Sequence, residues 1–186
     1  MSPIETMQIL FMRHGQTNYN LFGLCNDDPG RDVYLTTTGI AQAEAAAERL
    51  RQTPLDMIVT SELPRTRQTA EIVNRYHQLE LRQHPALNDI RSGFDGQPVS
   101  EYFAAIAAAP LHLAVNGGES LLSHKQRVLG YLDWLRQQPA QAVLSIAHEE
   151  TLRVFYAWFH RIPDERLRDL HFSNCEVVQF EFKTGT

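Results

Sequence analysis

The chain has 186 residues, 43% hydrophobic and 21% charged, with a formal net charge of −5 at pH 7. That length buries a sizeable core and suits one domain over residues 1–186. The acidic balance excludes a general nucleic-acid binder, which needs a basic surface. No apolar run approaches the roughly 20 residues of a membrane-spanning helix. Two cysteines, Cys25 and Cys175, make no disulfide framework and fit a reducing cytoplasm. The opening Met-Ser-Pro-Ile-Glu-Thr lacks the charged and apolar regions of a secretory leader.

An apolar run at 8–12 predicts a buried strand that stops abruptly at Arg13-His14-Gly15. A turn-rich loop through Asp27-Asp28-Pro29-Gly30 follows. Thr37 or Thr38 can cap the next helix, whose inner face carries Ile40, Ala43, Ala47 and Leu50 at helical spacing. Residues 57–59 read as a second strand ending at Thr60-Ser61. Pro64 suits the first turn of a helix with Ala70, Val73 and Tyr76 as its buried stripe. A short strand is expected at 81–84 and an alanine-rich helix at 103–109, within a less regular segment, 88–118. Ser120 caps a helix with Val128, Leu129, Leu132 and Leu135 inward. Residues 142–146 form the clearest buried strand, ending at Ala147-His148. A helix with Leu152, Phe155, Tyr156 and Phe159 follows, then a late, edge-type strand at 177–180. This alternation predicts an α/β fold, a three-layer α/β/α sandwich on a largely parallel sheet.

Ligands of open α/β sheets bind beyond the carboxyl ends of the strands. Strand one ends at Arg13-His14, strand two leads to Arg65, and the strand at 142–146 ends at His148. Neighbouring parallel strands bring these positions to one rim. Two guanidinium groups match the charge and acceptor oxygens of a phosphate monoester. Their field favours a neutral imidazole, whose free lone pair can attack phosphorus.

Further motifs surround these residues. Arg13-His14-Gly15 continues through Gln16-Thr17 to Asn20, and Leu35-Thr36-Thr37-Thr38-Gly39-Ile40-Ala41-Gln42-Ala43 follows. Ser61-Glu62-Leu63-Pro64-Arg65-Thr66-Arg67-Gln68-Thr69-Ala70, Asn116-Gly117-Gly118-Glu119-Ser120 and Arg127 come later. On these residues, in this order, the chain resembles the histidine phosphatase superfamily, also described as phosphoglycerate-mutase-like. The likeness spans about 8–182.

The resemblance implies a metal-independent, cofactor-free phosphatase that hydrolyses a small phosphorylated metabolite through a phosphohistidine on His14. Arg13, Arg65 and His148 would bind the phosphate, with Gln16 and Asn20 as further candidates. Gln16, Asn20 and Ser61 can instead brace the turns. Asp89, in Leu87-Asn88-Asp89-Ile90-Arg91, stands where the family places the proton donor, usually a glutamate. Glu149 and Asp95 are alternative donors. The family usually follows the later histidine with glycine, whereas this chain has Glu149. A carboxylate there would repel phosphate if it pointed inward. The segment 88–118 is expected to cover the pocket. Two other activities fit the same resemblance: a phosphoglycerate mutase, or a degenerate member that binds phosphorylated ligands without turnover.

Overall fold

The computed structural model describes residues 6–183. Five strands form one sheet in the order β3-β2-β4-β1-β5, where β1 is Thr6–Arg13, β2 Met57–Thr60, β3 Leu81–Gln83, β4 Ala142–Ala147 and β5 Val177–Lys183. The pairings β1–β4, β4–β2 and β2–β3 are parallel, and β5 closes one edge antiparallel to β1. Helices α1 (Asn18–Phe22), α2 (Thr37–Leu50), α3 (Pro64–Val73), α4 (Val99–Ile106), α5 (Leu121–Leu135) and α6 (Glu149–His160) complete the fold. No helix among the described residues is long and apolar enough to cross a membrane.

The three layers follow from strand alternation. Successive side chains of a strand point to opposite faces, and a parallel sheet buries both. Ile9 and Phe11 of β1 accordingly pack with Val128, Leu132 and Leu135 of α5 and Leu152 and Phe155 of α6. Leu10 and Met12 pack on the other face with Ala43, Ala46, Ala47 and Leu50 of α2 and Ala70 and Val73 of α3. The Phe11 and Phe155 rings stack at 3.9 Å.

The expected elements are present with several shifts. Thr36 rather than Thr37 or Thr38 caps α2, accepting from Gly39 N–H at 3.0 Å. Ile40 is 43% exposed, because the buried face of α2 runs through Gly39, Ala43, Ala46, Ala47 and Leu50 and leaves it outside. Tyr76 also leaves the core, since α3 ends at Val73 and passes into a 3₁₀ turn, Asn74–Tyr76. The alanine-rich helix begins earlier than expected, at Val99, and stops at Ile106. A five-residue helix, α1, opens the stretch read as a loop, held by a capping box between Thr17 and Asn20. Tyr131, absent from the expected stripe, is fully buried under the sheet.

Parallel registry places the strand ends together. Arg13 pairs with Ala147 and Thr60 with Ile146. The ladder continues one step beyond: His14 N–H donates to Ala147 O at 3.0 Å, and Ser61 N–H to Ile146 O at 3.3 Å. The backbone turn after β1 then lies directly against α2, where a Cβ added to Gly39 would stand 2.0 Å from Gln16 O. Only glycine permits that approach. Gly39→Ala should therefore force backbone apart at the rim and cost about 3 kcal/mol, read as a lowered urea midpoint with an unchanged slope.

Candidate phosphate-binding site

His14 follows β1 and is 3% exposed. Its Nδ1 lies 2.7 Å from Gly15 O. A carbonyl only accepts, so Nδ1 carries the ring proton and Nε2 presents a lone pair. Arg65 Nε–H donates to that lone pair at 3.1 Å. Burial, and then the charges of Arg65 and Arg13, push the imidazole well below its ordinary pKa against the opposing Gly15 hydrogen bond. The ring is therefore neutral near pH 7.

Arg65 is the second residue of α3, and its 4%-exposed guanidinium fans across the site. Besides His14 it donates through Nη1 to Asn26 Oδ1, and through Nη2 to Asn26 O at 3.1 Å and Asp89 Oδ2 at 3.0 Å. Burial lowers its pKa, Asp89 opposes the shift, and an arginine remains charged regardless. Arg13 reaches the same space, with Nη1 on Phe172 O at 2.6 Å and Glu149 Oε2 at 3.1 Å.

His148 follows β4 and occupies the N-cap position of α6. Its ring is fully buried, with its centroid 5.3 Å from that of His14. Nε2 meets Ser61 Oγ at 2.9 Å, and Nδ1 lies 3.7 Å from Asp89 Oδ2. Burial first, then Arg65 and His14, hold it well below the ordinary histidine range.

Arg13, His14, Arg65, Asp89, Asn20 and Glu149 line one cavity of about 230 Å³, whereas the expected fourth pocket member, His148, is fully buried and stands behind that lining, next to Asp89. That is below the roughly 300–1,000 Å³ of pockets for drug-sized ligands, so the space suits a small molecule. Val99, Tyr102 and Phe103 of α4 form an apolar part of its wall. Among the described residues, no three histidine, cysteine or acidic side chains come together as a metal-ligand group.

The remaining candidates separate clearly. Asn20 lines the cavity while its Oδ1 accepts from Thr17 N–H at 3.0 Å, leaving a donor amide group. Gln16 lies outside that lining: its Oε1 accepts from Thr36 Oγ1 at 2.9 Å, and its N–H donates to Gln42 Oε1. It braces the turn against α2. Asp95 also lies elsewhere, with Oδ1 accepting from Asn26 Nδ2 and from the N–H groups of Asp27 and Asp28, and Oδ2 from Arg31. Partial burial would raise its carboxyl, but these donors outweigh it and hold the pKa low. Glu149 lines the cavity but is fully engaged, by Arg13 through Oε2, and by Arg153 at 3.0 Å and Phe172 N–H at 3.3 Å through Oε1.

Two contributions escaped the sequence reading. Asn26 holds both Nη nitrogens of Arg65, though it stands in a polar loop with no periodicity to mark it. Arg127 anchors the backbone around Asp89: Nη1 donates to Ala86 O and Asn88 O at 3.1 Å each, and Nη2 to Asp89 O at 3.2 Å. Glu119 pairs with Arg127 and accepts from Arg91 N–H at 3.1 Å. Burial would raise the Glu119 carboxyl, but His124 and Arg127 outweigh that and hold it far below the usual range. The Asn116–Ser120 stretch and Arg127 thus act through the Asp89 loop.

Fold and site together define an α/β protein with a buried cationic pocket around a neutral histidine, at the carboxyl rim of its sheet. The histidine phosphatase superfamily (branch 1) matches residues 9–186, and the chain belongs to that family. A Yersinia enterocolitica protein named "Probable phosphoglycerate mutase GpmB" is 26% identical over 95% of this chain and 86% of its own length. The alpha-ribazole phosphatase from Shigella flexneri superposes with a TM-score of 0.84 at 25% identity, over 93% of this chain and 89% of that one. A mycobacterial glucosyl-3-phosphoglycerate phosphatase complexed with VO3 gives 0.78 at 26% identity, over 93% and 92%.

The two buried histidines set an acid limit on stability. Their folded pKa values lie below the roughly 6.5 of an unfolded chain, so below that pH the unfolded state binds more protons. Stability is complete above about pH 6.5 and falls as pH drops toward the folded values, by up to about 1.4 kcal/mol per pH unit for each ring. Urea unfolding between pH 7 and pH 5 should show this loss, and His148→Gln should reduce its slope.

Proposed function

We propose that this protein hydrolyses a small phosphate monoester through a phosphohistidine on His14, without a metal. The observation that carries the reading is the His14 tautomer: Nδ1–H is tied to Gly15 O, and the Nε2 lone pair faces into the cationic pocket at Arg65. Phosphate oxygens take the places of Asn26 and of His14 on Arg65 and share Arg13, where charge-assisted bonds are stronger than bonds to a neutral group, and the His14 Nε2 lone pair is released from Arg65 Nε–H. His14 Nε2 then attacks phosphorus, the P–N bond forms and the P–O bond to the leaving group breaks. Asp89 supplies the proton that the leaving alkoxide takes up. Water next attacks the phosphohistidine, gives its proton to the Asp89 carboxylate, and releases inorganic phosphate with the Nε2 lone pair restored. Positioning and charge stabilisation do most of the work in such transfers.

Several observations support hydrolysis over simple ligand binding. Glu149, the departure that would have repelled phosphate, has its charge matched by Arg13 and Arg153. Solved relatives of similar size and fold are named as phosphatases. Both cysteines are free thiols, in keeping with a cytoplasmic location. A second reading, transfer of the phosphoryl group to another substrate hydroxyl, is favoured by the name of the Yersinia relative. An aryl phosphate assay separates the two. Sustained release of inorganic phosphate is expected, whereas negligible hydrolysis with bisphosphate-dependent transfer between phosphoglycerates would establish the mutase.

His14→Ala should abolish the acid-labile phosphoenzyme and reduce turnover by about a thousandfold or more; retained turnover would remove His14 as nucleophile. Arg65→Ala should lower kcat by about 100- to 1,000-fold, as expected for a lost donor to the transferring group. Asp89→Asn should cost about 100-fold or more on alkyl phosphates and far less on an aryl phosphate, whose leaving group needs little protonation. Equal losses on both would exclude Asp89 as the proton donor.

A further inference from the structure

Ser61 follows β2 with its side chain fully buried, between the start of α3 and the ring of His148. Its Oγ accepts from Leu63 N–H at 3.2 Å and lies 2.9 Å from both Thr66 Oγ1 and His148 Nε2. The Thr66 hydroxyl has an acceptor of its own, Leu63 O at 2.8 Å. A hydroxyl has one proton to give, so two arrangements satisfy this chain. Either His148 Nε2–H donates to Ser61, Ser61 to Thr66 and Thr66 to Leu63 O, or Thr66 donates to Ser61, which donates to an unprotonated His148 Nε2, while Leu63 O keeps its bond from Thr66 N–H at 3.1 Å.

The other ring nitrogen decides between them. His148 Nδ1 is buried, has no hydrogen-bond partner among the described residues, and stands 3.7 Å from Asp89 Oδ2. That Asp89 oxygen accepts from Arg65 Nη2, whose Nε–H meets His14 Nε2, so Nδ1 faces the group of side chains that would surround a phosphoryl group on His14. With the proton on Nε2, the Nδ1 lone pair would face carboxylate and phosphoryl oxygens, acceptor against acceptor. With the proton on Nδ1, the same edge of the ring is a donor. A neutral imidazole has only one N–H, so the site can supply this donor only if Nε2 gives its proton up.

We propose that Ser61 is a positioning residue that donates its hydroxyl proton to His148 Nε2, fixing the ring in the Nδ1–H tautomer that offers a hydrogen bond to the transferring phosphoryl group. His14 and His148 are then matched. Each keeps its proton on Nδ1, one so that its Nε2 can attack and the other so that its Nδ1–H can hold an oxygen. Gly15 O fixes the first tautomer by accepting; the Ser61 hydroxyl fixes the second by donating. The catalytic consequence rests on the phosphatase reading, while the tautomer does not.

Nitrogen-15 spectra of histidine-labelled protein, with and without saturating inorganic phosphate, test the assignment, the His148 signals being those lost in His148→Gln. The expected wild-type spectrum has a protonated Nδ1 and an unprotonated Nε2 for His148. In Ser61→Ala the Nε2–H form should gain population, with kcat on an aryl phosphate falling about tenfold, the upper net worth of one neutral hydrogen bond, and KM changing less than twofold. Ser61→Thr, which keeps the hydroxyl, should restore both signals and rate. A wild-type His148 protonated on Nε2 overturns the proposal, as does a Ser61→Ala protein with the wild-type tautomer. The wild-type spectrum decides even if Ser61→Thr does not fold. It also decides if no phosphatase activity is found, which would count against the proposed reaction alone.

Discussion

The hydrogen bond from Arg65 Nε–H to His14 Nε2 joins the residue after β1 to the second residue of α3, and the rest of the site is arranged around it. A buried guanidinium without partners costs several kcal/mol, so a chain that buries one must surround it with acceptors. Here those acceptors come from separate segments: His14 at the end of β1, Asn26 in the loop after α1, and Asp89 in the segment after β3. One cation thereby draws three distant pieces of chain into register without any ligand. A planar fork with five donors can serve all of them, which a lysine could not. In the proposed reaction a phosphate would replace Asn26 and His14 on this fork, with Arg65 already held in place.

The part of this arrangement that depends on the parallel sheet was legible in the sequence. Strands buried on both faces leave continuous apolar runs, and the residues at which β1 and β4 stop are the residues of the site. What depends on side-chain direction was not legible. Ile40 falls at core spacing, yet the buried face of α2 runs through Gly39, Ala43, Ala46, Ala47 and Leu50 and leaves Ile40 outside it. Gln16 sits beside His14 in sequence but turns toward Thr36, because the turn after β1 must be braced on α2. Asn26 reaches Arg65 across 39 positions of sequence, from a loop without periodicity. Glu149 reads as repulsive only until Arg13 and Arg153 are seen on either side of it.

These differences divide the cavity into two kinds of construction. The end at His14 is made by strand termini, where backbone hydrogen bonds from His14 to Ala147 and from Ser61 to Ile146 set positions through the sheet. The opposite end is made by side chains that hold loops. Asp89 stands where it does because Arg127, on α5, clamps the carbonyls of Ala86, Asn88 and Asp89 and is itself held by the buried Glu119. A backbone ladder fixes atoms cooperatively, whereas a clamp of this kind can be retuned by one substitution on either partner. In the proposed reaction, the chemistry common to all substrates would sit at the sheet rim, where geometry is inherited from topology. The groups that meet the varying leaving group belong on clamped loops and on α4, where Val99, Tyr102 and Phe103 complete the wall.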